Sequence, residues 1–477
     1  MPANNKPLVV DLDGTLLRSD MLVESGLAFL RAQPLRCYLP LFWLLRDGKA
    51  QLKARLAENV TLDVANLPFN EAVLAWLREE KAQGRELVLA TATHRAYADR
   101  IGAHLGLFDR ILATENGTNL SAGRKRDALV AAFGEAGFDY AGNSRDDVAV
   151  WKAADAAIVV DPERGVTRRA EAAANCARVM ETRNGTVRAW IKQLRVHQWL
   201  KNFLIFVPLL AAHKIGALSL VVNALLAFVF FSLCASSVYL LNDLLDLGED
   251  RNHPTKRFRP FAAGRLSVKS GLLVFPLLLL VAFGGSYALL PLRFTAVLGL
   301  YYVTTLAYSF YLKRVVVADV VALAALYTIR IIAGTMACGL TLTFWLLAFS
   351  MFMFLSLALV KRYAELHVAR AKGMDKKPGG RGYYPTDLEM ISSLGAASGY
   401  LSVMVLALYI QEQSIARLYA HPQFIWLACP LLLFWVSRTW MLTHRGLMHD
   451  DPVVFAVKDR ISLLTGALMA LVFWIAV

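Results

Sequence analysis

From Trp199 to residue 477 the chain is a succession of apolar runs, and no other feature restricts its fold as much. In hydrocarbon every backbone N–H and C=O must find a partner within the protein, so a spanning segment is a helix or a strand of a closed barrel. These runs suit helices of about 20 residues. Nine segments qualify, at about 200–212, 218–241, 271–290, 293–311, 318–337, 344–360, 388–410, 423–441 and 461–477. The first is short and is expected to tilt or lie partly in the interface. Residues up to about Lys192 differ, with mixed charge and regular turn signals. The organisation read from this shift is a soluble domain over 1–180, a basic linker over 181–197 and a polytopic all-α membrane domain over 198–477.

The formal net charge is +14. Most clustered Lys and Arg lie between apolar runs, which argues for membrane topology and anionic substrates and against nucleic acid. With residue 1 in the cytoplasm, alternate connections hold eighteen Lys and Arg. The opposite connections hold three, Lys214, Arg293 and Arg417. This asymmetry predicts an integral membrane protein with a cytoplasmic N-terminal domain and its C-terminus on the opposite side. The apolar stretch Leu8–Val10 is too short for a secretion signal. Five scattered cysteines, Cys37, Cys176, Cys234, Cys338 and Cys429, show no metal-binding spacing and read as small buried hydrophobes.

Acid and base cluster where the second apolar run ends. On a helix continuing from that run, Asn242, Asp246 and Asp250 recur every fourth residue and share a face. Asp243 is an alternative member, three and seven residues from Asp246 and Asp250. Oxygen donors in this pattern suit Mg²⁺, which usually brings substrate phosphates with it. Lys256, Arg257 and Arg259 follow at once and suit the phosphates. Asp319 and Arg330 lie inside an apolar run, where each charge costs about 2.5–3.5 kcal/mol on insertion scales. They are expected either to serve the chemistry or to face each other as a structural pair. Asp451, before the last run, is read either as closing over the site or as part of a solvated loop.

In the soluble half, Leu8-Val9-Val10 predicts a buried strand that delivers Asp11 and Asp13 to the ligand edge of an α/β sheet. One carboxylate there can attack phosphorus while the other moves a proton. Glu86–Thr91 predicts a second strand, Lys125 follows in a basic segment, and Phe138–Ala141 leads into Gly142-Asn143-Ser144-Arg145-Asp146-Asp147. Between Asp13 and Thr91 there is room for a helical cap. Within it Pro34–Leu45 is unusually apolar, which fits a cap core or an interfacial segment with Trp43, Arg36 and Arg46 at headgroup depth.

These ordered features resemble two families. Asn242-Asp243-x-x-Asp246-x-x-x-Asp250 after a second membrane helix is similar to the first aspartate-rich motif of UbiA-type intramembrane prenyltransferases. Within that superfamily the chain resembles the decaprenyl-phosphate phosphoribosyltransferases. The matching stretches are His197–Asn202, Ser237–Asp243, His253–Pro260, Ala307–Ser309 leading to Lys313 and Asp319, Ile329–Gly334, and Lys361–Leu366. Asp11, Thr91, Lys125 and Asp147, in that order, resemble haloacid-dehalogenase-like phosphatases with a Rossmann-like sheet and helical cap.

The resemblance implies a two-step enzyme with one Mg²⁺ in each domain. The membrane half would transfer 5-phosphoribose from 5-phosphoribosyl 1-diphosphate to a polyprenyl phosphate. Asn242, Asp246 and Asp250 would hold the metal, and Lys256, Arg257 and Arg259 would grip phosphates. Lys313 precedes Asp319, which would contact ribose or the metal shell, and Lys361, Arg362 and Tyr363 would position a phosphate. The soluble half would remove the 5-phosphate, with Asp11 as nucleophile, Asp13 as general acid/base, Thr91 and Lys125 on phosphoryl oxygens, and Asn143 and Asp147 near the metal. Two departures matter. The superfamily's second acidic motif has no companion to Asp319, because residue 323 is Leu, which points to a diphosphate on the sugar. The phosphatase metal position holds Asn143 in place of an aspartate, which leaves a weakened domain as one reading. The alternatives are a prenyl-diphosphate-dependent transferase, and a transporter or scaffold with a regulatory phosphatase-like domain.

Overall fold

A computed structural model describes residues 6–115, 117–173, 175–182, 186–371, 381–412, 419–448 and 451–477. Arg183 of the linker, and Lys372, Lys376, Lys377 and Arg417 among the connection charges counted above, lie outside these residues. The chain forms two compact units, Met1–Leu194 with Tyr239–Phe275, and Arg195–Val238 with Pro276–Val477.

The first unit is built on six parallel strands in the order β3-β2-β1-β4-β5-β6. They are β1 (Leu8–Val10), β2 (Leu87–His94), β3 (Arg110–Thr114), β4 (Asp139–Gly142), β5 (Ala156–Val160) and β6 (Asn175–Met180). Central parallel strands are covered on both faces, so they read as unbroken apolar runs; Leu8, Val9 and Val10 are all fully buried. Strand order reverses between β1 and β4, and ligands of open α/β sheets bind at the carboxyl ends of strands at such a switch point.

The expected cap is present. Helix α1 (Met21–Ala32) starts at Asp20, whose carboxylate accepts from Leu22 N at 2.9 Å and Val23 N at 3.3 Å. Helix α2 (Leu39–Asn59) is broken at Gly48, where φ 79° and ψ 177° suit a residue without Cβ. Trp43, Leu52, Leu56 and Val60 of the cap pack with Phe29. Cys37 is exposed, unlike the buried Cys234, Cys338 and Cys429, because it precedes α2 on the cap surface.

The second unit is helical. Among the described residues six helices are long and apolar enough to cross a membrane: Leu218–Leu245, Val268–Leu289, Ala318–Cys338, Phe344–Ala371, Pro385–Ile410 and Pro422–His444. The first and second of these also contribute to the other unit. A bent pair, Pro452–Lys458 and Arg460–Ala476, makes a seventh if it counts as one span. The nine expected crossings are not confirmed. The first apolar segment breaks into a 3-10 stretch, Val196–Phe206, and a five-residue helix, Val207–Ala211. Leu292–Phe310 is a 19-residue helix, but Arg293, Tyr301, Tyr302 and Tyr308 dilute its apolarity.

A Cβ on Gly334 would lie 1.9 Å from the Ile205 carbonyl oxygen. That close approach lets Val196–Phe206 lie against Ala318–Cys338, and Arg330 Nε donates to Asn202 Oδ1 at 2.9 Å. Arg330 is further held by Phe231, Tyr301 and Tyr327, whose rings lie 5.2–5.5 Å from its guanidinium carbon.

Candidate functional site

The carboxyl ends of β1, β2 and β4 bring Asp11, Asp13, Thr91, Asn143 and Asp147 to one edge of the sheet. Lys125 reaches Asp11 Oδ1 at 2.7 Å and Asp147 Oδ1 at 3.8 Å. Tyr140 ties the group together: it accepts from Lys125 Nζ at 2.9 Å and donates to Asp147 Oδ1 at 2.8 Å. The other Asp147 oxygen accepts from Asn143 N, Ser144 N and Ser144 Oγ at 2.8–3.0 Å. Asp147 is therefore a fixed anchor for the turn after β4 and for Lys125. Asp13 accepts from Met21 N and Thr93 Oγ1, both at 2.8 Å. Thr91 is fully buried and its Oγ1 accepts from Thr93 N at 3.0 Å.

The electrostatics suit phosphoryl transfer. Burial pushes the Asp11 carboxyl up to about 7, against the pull of Lys125, with Asp147 and Asp13 adding to the rise. Burial and then Asp20 push Asp13 up to about 6, near the value wanted of a group that gives and takes a proton at neutral pH. Burial would lower Lys125, but Asp11 and Asp147 outweigh it and hold the ammonium. The pocket thus has more buried carboxylate than one lysine balances. Two acids with the Asn143 amide oxygen fit a divalent cation, although Asn143 offers no charge. Among the described residues no three His, Cys, Asp or Glu side chains converge as a metal cluster.

Sequence reasoning missed Lys53. From α2 its ammonium donates to Ala92 O at 2.5 Å and Asn119 Oδ1 at 2.7 Å, which brings a cap cation to the turn after Thr91. Burial lowers it from its ordinary value. No motif marks it, because its place depends on how the cap folds back.

The acidic motif differs from the expected continuous helical face. The membrane-length helix stops at Leu245, Asp246 sits at the break, and a new helix runs over Leu247–Asn252. Asp243 and Asp250 converge on Arg259 Nη1, at 3.0 and 2.7 Å, while Asp246 pairs with Arg31 Nη1 at 2.9 Å. Asn242 is half-buried, and its backbone carbonyl accepts from Asp246 N at 2.9 Å. Burial still holds Asp250 above its ordinary value despite Arg259, so this donor set also suits added positive charge. Lys256 and Arg257 are exposed on the following turn. Further ion pairs tie the loop to the cap: Arg251 to Glu24 at 2.7 Å, Arg31 to Glu249 at 3.1 Å and Lys269 to Asp20 at 2.7 Å.

In the helical unit Asp319 is fully buried. It pairs with Arg362 Nη2 at 2.6 Å and accepts from Tyr383 Oη at 2.7 Å. Its expected structural partner, Arg330, is held by Asn202 instead, since one helix cannot turn Asp319 and Arg330 onto each other across three turns. Just before Asp319, Val317 adopts φ 67°, a strained conformation for a β-branched residue, and its N–H donates to Tyr383 Oη at 2.8 Å. Arg362 also pairs with Glu365, and Tyr363 packs inward with its hydroxyl 3.0 Å from His444 Nδ1. Of the three residues expected to position a phosphate, Lys361 alone is less than fully enclosed. It lies 3.4 Å from Asp451 Oδ2, which Lys201 approaches at 2.7 Å. Tyr327 donates to the other Asp451 oxygen at 3.3 Å. Two lysines thus converge on one carboxylate, and Asp451 is no solvated loop residue. Lys313 is half-buried in the turn Leu312–Arg314.

An Asp-x-Asp edge on a six-stranded parallel sheet and several membrane-length helices define an integral membrane protein with an α/β domain. Residues 203–445 match the UbiA prenyltransferase family and residues 8–152 match the haloacid dehalogenase-like hydrolases. The chain belongs to the UbiA prenyltransferase family and carries a haloacid dehalogenase-like domain at its N-terminal end. It is 39% identical over 475 residues to the uncharacterized protein y4nM of Sinorhizobium fredii, covering 98% of this chain and 91% of that one. It is 39% identical to the nodulation protein NoeC of Azorhizobium caulinodans, over 58% of this chain and 91% of that one. It is 33% identical to the decaprenyl-phosphate phosphoribosyltransferase of Mycobacterium tuberculosis, over 57% of this chain and 88% of that one.

Proposed function

We propose that this protein makes a polyprenyl phosphoryl ribose in two steps on one chain. In the first, an oxygen of a polyprenyl phosphate attacks the anomeric carbon of 5-phosphoribosyl 1-diphosphate. The new O–C bond forms as the diphosphate leaves. The lipid phosphate is already anionic at neutral pH, so the step requires no strong base. The similarity to a decaprenyl-phosphate phosphoribosyltransferase supports this donor and acceptor. The enclosure of Asp319 by Arg362 and Tyr383, with Leu323 in place of a companion acid, supports it too, because a second, prenyl-diphosphate metal would want a free acidic pair there. Lys256 and Arg257 are exposed and would meet the donor's phosphates, and the half-buried Lys361 would meet the lipid's.

In the second step the N-terminal domain removes the 5-phosphate. Asp11 attacks phosphorus, Asp13 protonates the leaving ribose oxygen, and Asp13 then takes a proton from the water that frees the enzyme. Lys125 and Thr91 hold the phosphoryl oxygens. Mg²⁺ would be held by Asp11, Asp13 and Asn143 in this domain, anchored by Asp147, and at the acidic motif by Asp246 and Asp250 with Asn242, or Asp243 as the alternative. It supplies charge neutralisation at each phosphate. The charge asymmetry of the connections supports a cytoplasmic N-terminal domain, on the side of phosphorylated metabolites.

The observation that carries the coupling is the built Asp11–Asp13–Lys125 cradle, on the same chain as a transferase whose product would still bear a phosphomonoester. The experiment is incubation of the purified protein with both substrates and Mg²⁺, followed by mass spectrometry of the lipid. Diphosphate release and a dephosphorylated ribosyl lipid are expected. No diphosphate release ends the transferase reading, and unchanged dephosphorylation by Asp11→Asn ends the coupling.

A further inference from the structure

The cap carries a surface that neither reaction needs. From Leu35 to Leu45 most of the large apolar side chains point outward: Leu35 is 82% exposed, Leu45 78%, Tyr38 63% and Leu41 60%, with Phe42 and Leu44 also exposed. The spacing explains how. Tyr38, Leu41, Phe42 and Leu45 fall at i, i+3, i+4 and i+7 on one face of the first part of α2. Leu39 and Trp43 take the other face and pack on Phe29, Leu52 and Leu56. The segment is therefore apolar on two sides, and the cap core uses only one. A contiguous exposed patch of this kind is rare on a soluble surface and marks a contact.

Three observations say what covers it. Among the described residues six helices have membrane-crossing length, so a bilayer is always at high effective concentration. Arg31 pairs with Asp246, the residue that follows the membrane-length helix Leu218–Leu245. Leu35 is four residues beyond Arg31, within about 14 Å along the chain, so the patch starts near the end of that helix. Its rim is basic: Arg36, Arg46 and Lys49 are exposed, and Arg46 stacks on Phe42 at 5.7 Å. Arginines beside an aromatic and leucine face match the headgroup and upper acyl region of a phospholipid leaflet.

We propose that Leu35–Leu45 is a monotopic membrane-contact surface, with Leu35, Leu41, Phe42 and Leu45 in the leaflet interface and Arg36 and Arg46 at the phosphates. This holds whichever reaction the Asp11 cradle performs. It would also keep the domain at the depth where a lipid-linked phosphate is presented.

Among the described cysteines Cys37 alone is exposed, which puts a native label site inside the patch. The full chain, in nanodiscs of phosphatidylcholine and phosphatidylglycerol, is labelled at Cys37 with an environment-sensitive fluorophore. Expected are blue-shifted emission, strong quenching by a lipid with its nitroxide near the headgroup, and iodide quenching several-fold weaker than in detergent-free unfolded chain. Iodide access without nitroxide quenching overturns the proposal. So does efficient Cys37–Cys37 crosslinking by a short bismaleimide, which would mean a second copy covers the face. The double variant Leu41→Glu, Leu45→Glu should restore iodide access with an unchanged melting transition, since both side chains are exposed; an unchanged probe environment in that folded variant also overturns it.

Discussion

Lys201 and Asp451, 250 positions apart, meet at 2.7 Å, and Lys361 joins the same carboxylate oxygen at 3.4 Å. The contact closes the segment before the last helix onto the start of the helical unit. It also leaves two ammonium groups facing one carboxylate, a local excess of positive charge within a helical bundle. A monoanionic or dianionic phosphate is the natural complement to that excess.

Lys361→Met is therefore expected to weaken use of the polyprenyl phosphate more than use of the sugar donor. Losing one charged hydrogen bond of about 1.5–3 kcal/mol corresponds to roughly a 10- to 150-fold fall in kcat/KM for the lipid. Steady-state kinetics with each substrate varied in turn checks this, and an equal loss for both would argue for a general structural role.

Asp319 and Arg362 form a buried ion pair, so removal of one partner strands the other. Asp319→Ala should destabilise the protein by about 3–5 kcal/mol, and the double change Asp319→Leu, Arg362→Met should recover much of it. Thermal unfolding in detergent reads both. If the single variant melts like wild type and only catalysis falls, Asp319 acts on substrate.

Asp11→Asn should leave diphosphate release intact while dephosphorylation falls by about three orders of magnitude or more. The lipid product then keeps its 5-phosphate and is heavier by one phosphoryl group in the mass spectrum. Lys53→Met is expected to change the phosphomonoester KM before it changes that mass, because Lys53 sits at the cap side of the cradle.

The raised carboxyls make Mg²⁺ binding depend on pH. Asp11 and Asp13 ionise near 7 and 6 when folded, against 3.8 when unfolded. Between those values the metal-free folded chain holds more protons than the unfolded chain, so its stability falls as pH rises from about 4 to 7 and is level above that. A cation that neutralises both acids offsets this loss. The melting-point gain from Mg²⁺ should therefore be larger at about pH 7.5 than at about pH 5, and Asp11→Asn should flatten the difference. A gain independent of pH in the wild type would contradict this.

Much of the soluble site was legible in order along the chain because each residue follows a strand. Asp11, Thr91 and Asn143 come just after or within apolar runs that only a buried parallel strand satisfies, and the sheet's switch point gathers them. Lys53 and Tyr140 were not legible as site residues, since one depends on the cap and the other on a side chain threading between Lys125 and Asp147. In the membrane half the acidic motif was visible as spacing. The break at Asp246, which sends Asp243 and Asp250 to Arg259 and Asp246 to Arg31, was not, because a local loss of helical geometry decides which face each acid takes.

Apolar runs, strand-ending acids and the motif resemblance by themselves pointed to an α/β domain followed by a helical membrane domain, because backbone hydrogen bonding and burial leave few other folds for such runs. Only the tertiary structure decided which charges meet. Asp319 with Arg362, Arg330 with Asn202 and Asp451 with two lysines are pairings across separate elements, and the desolvation of a buried charge makes each depend on the partner that packing brings within reach.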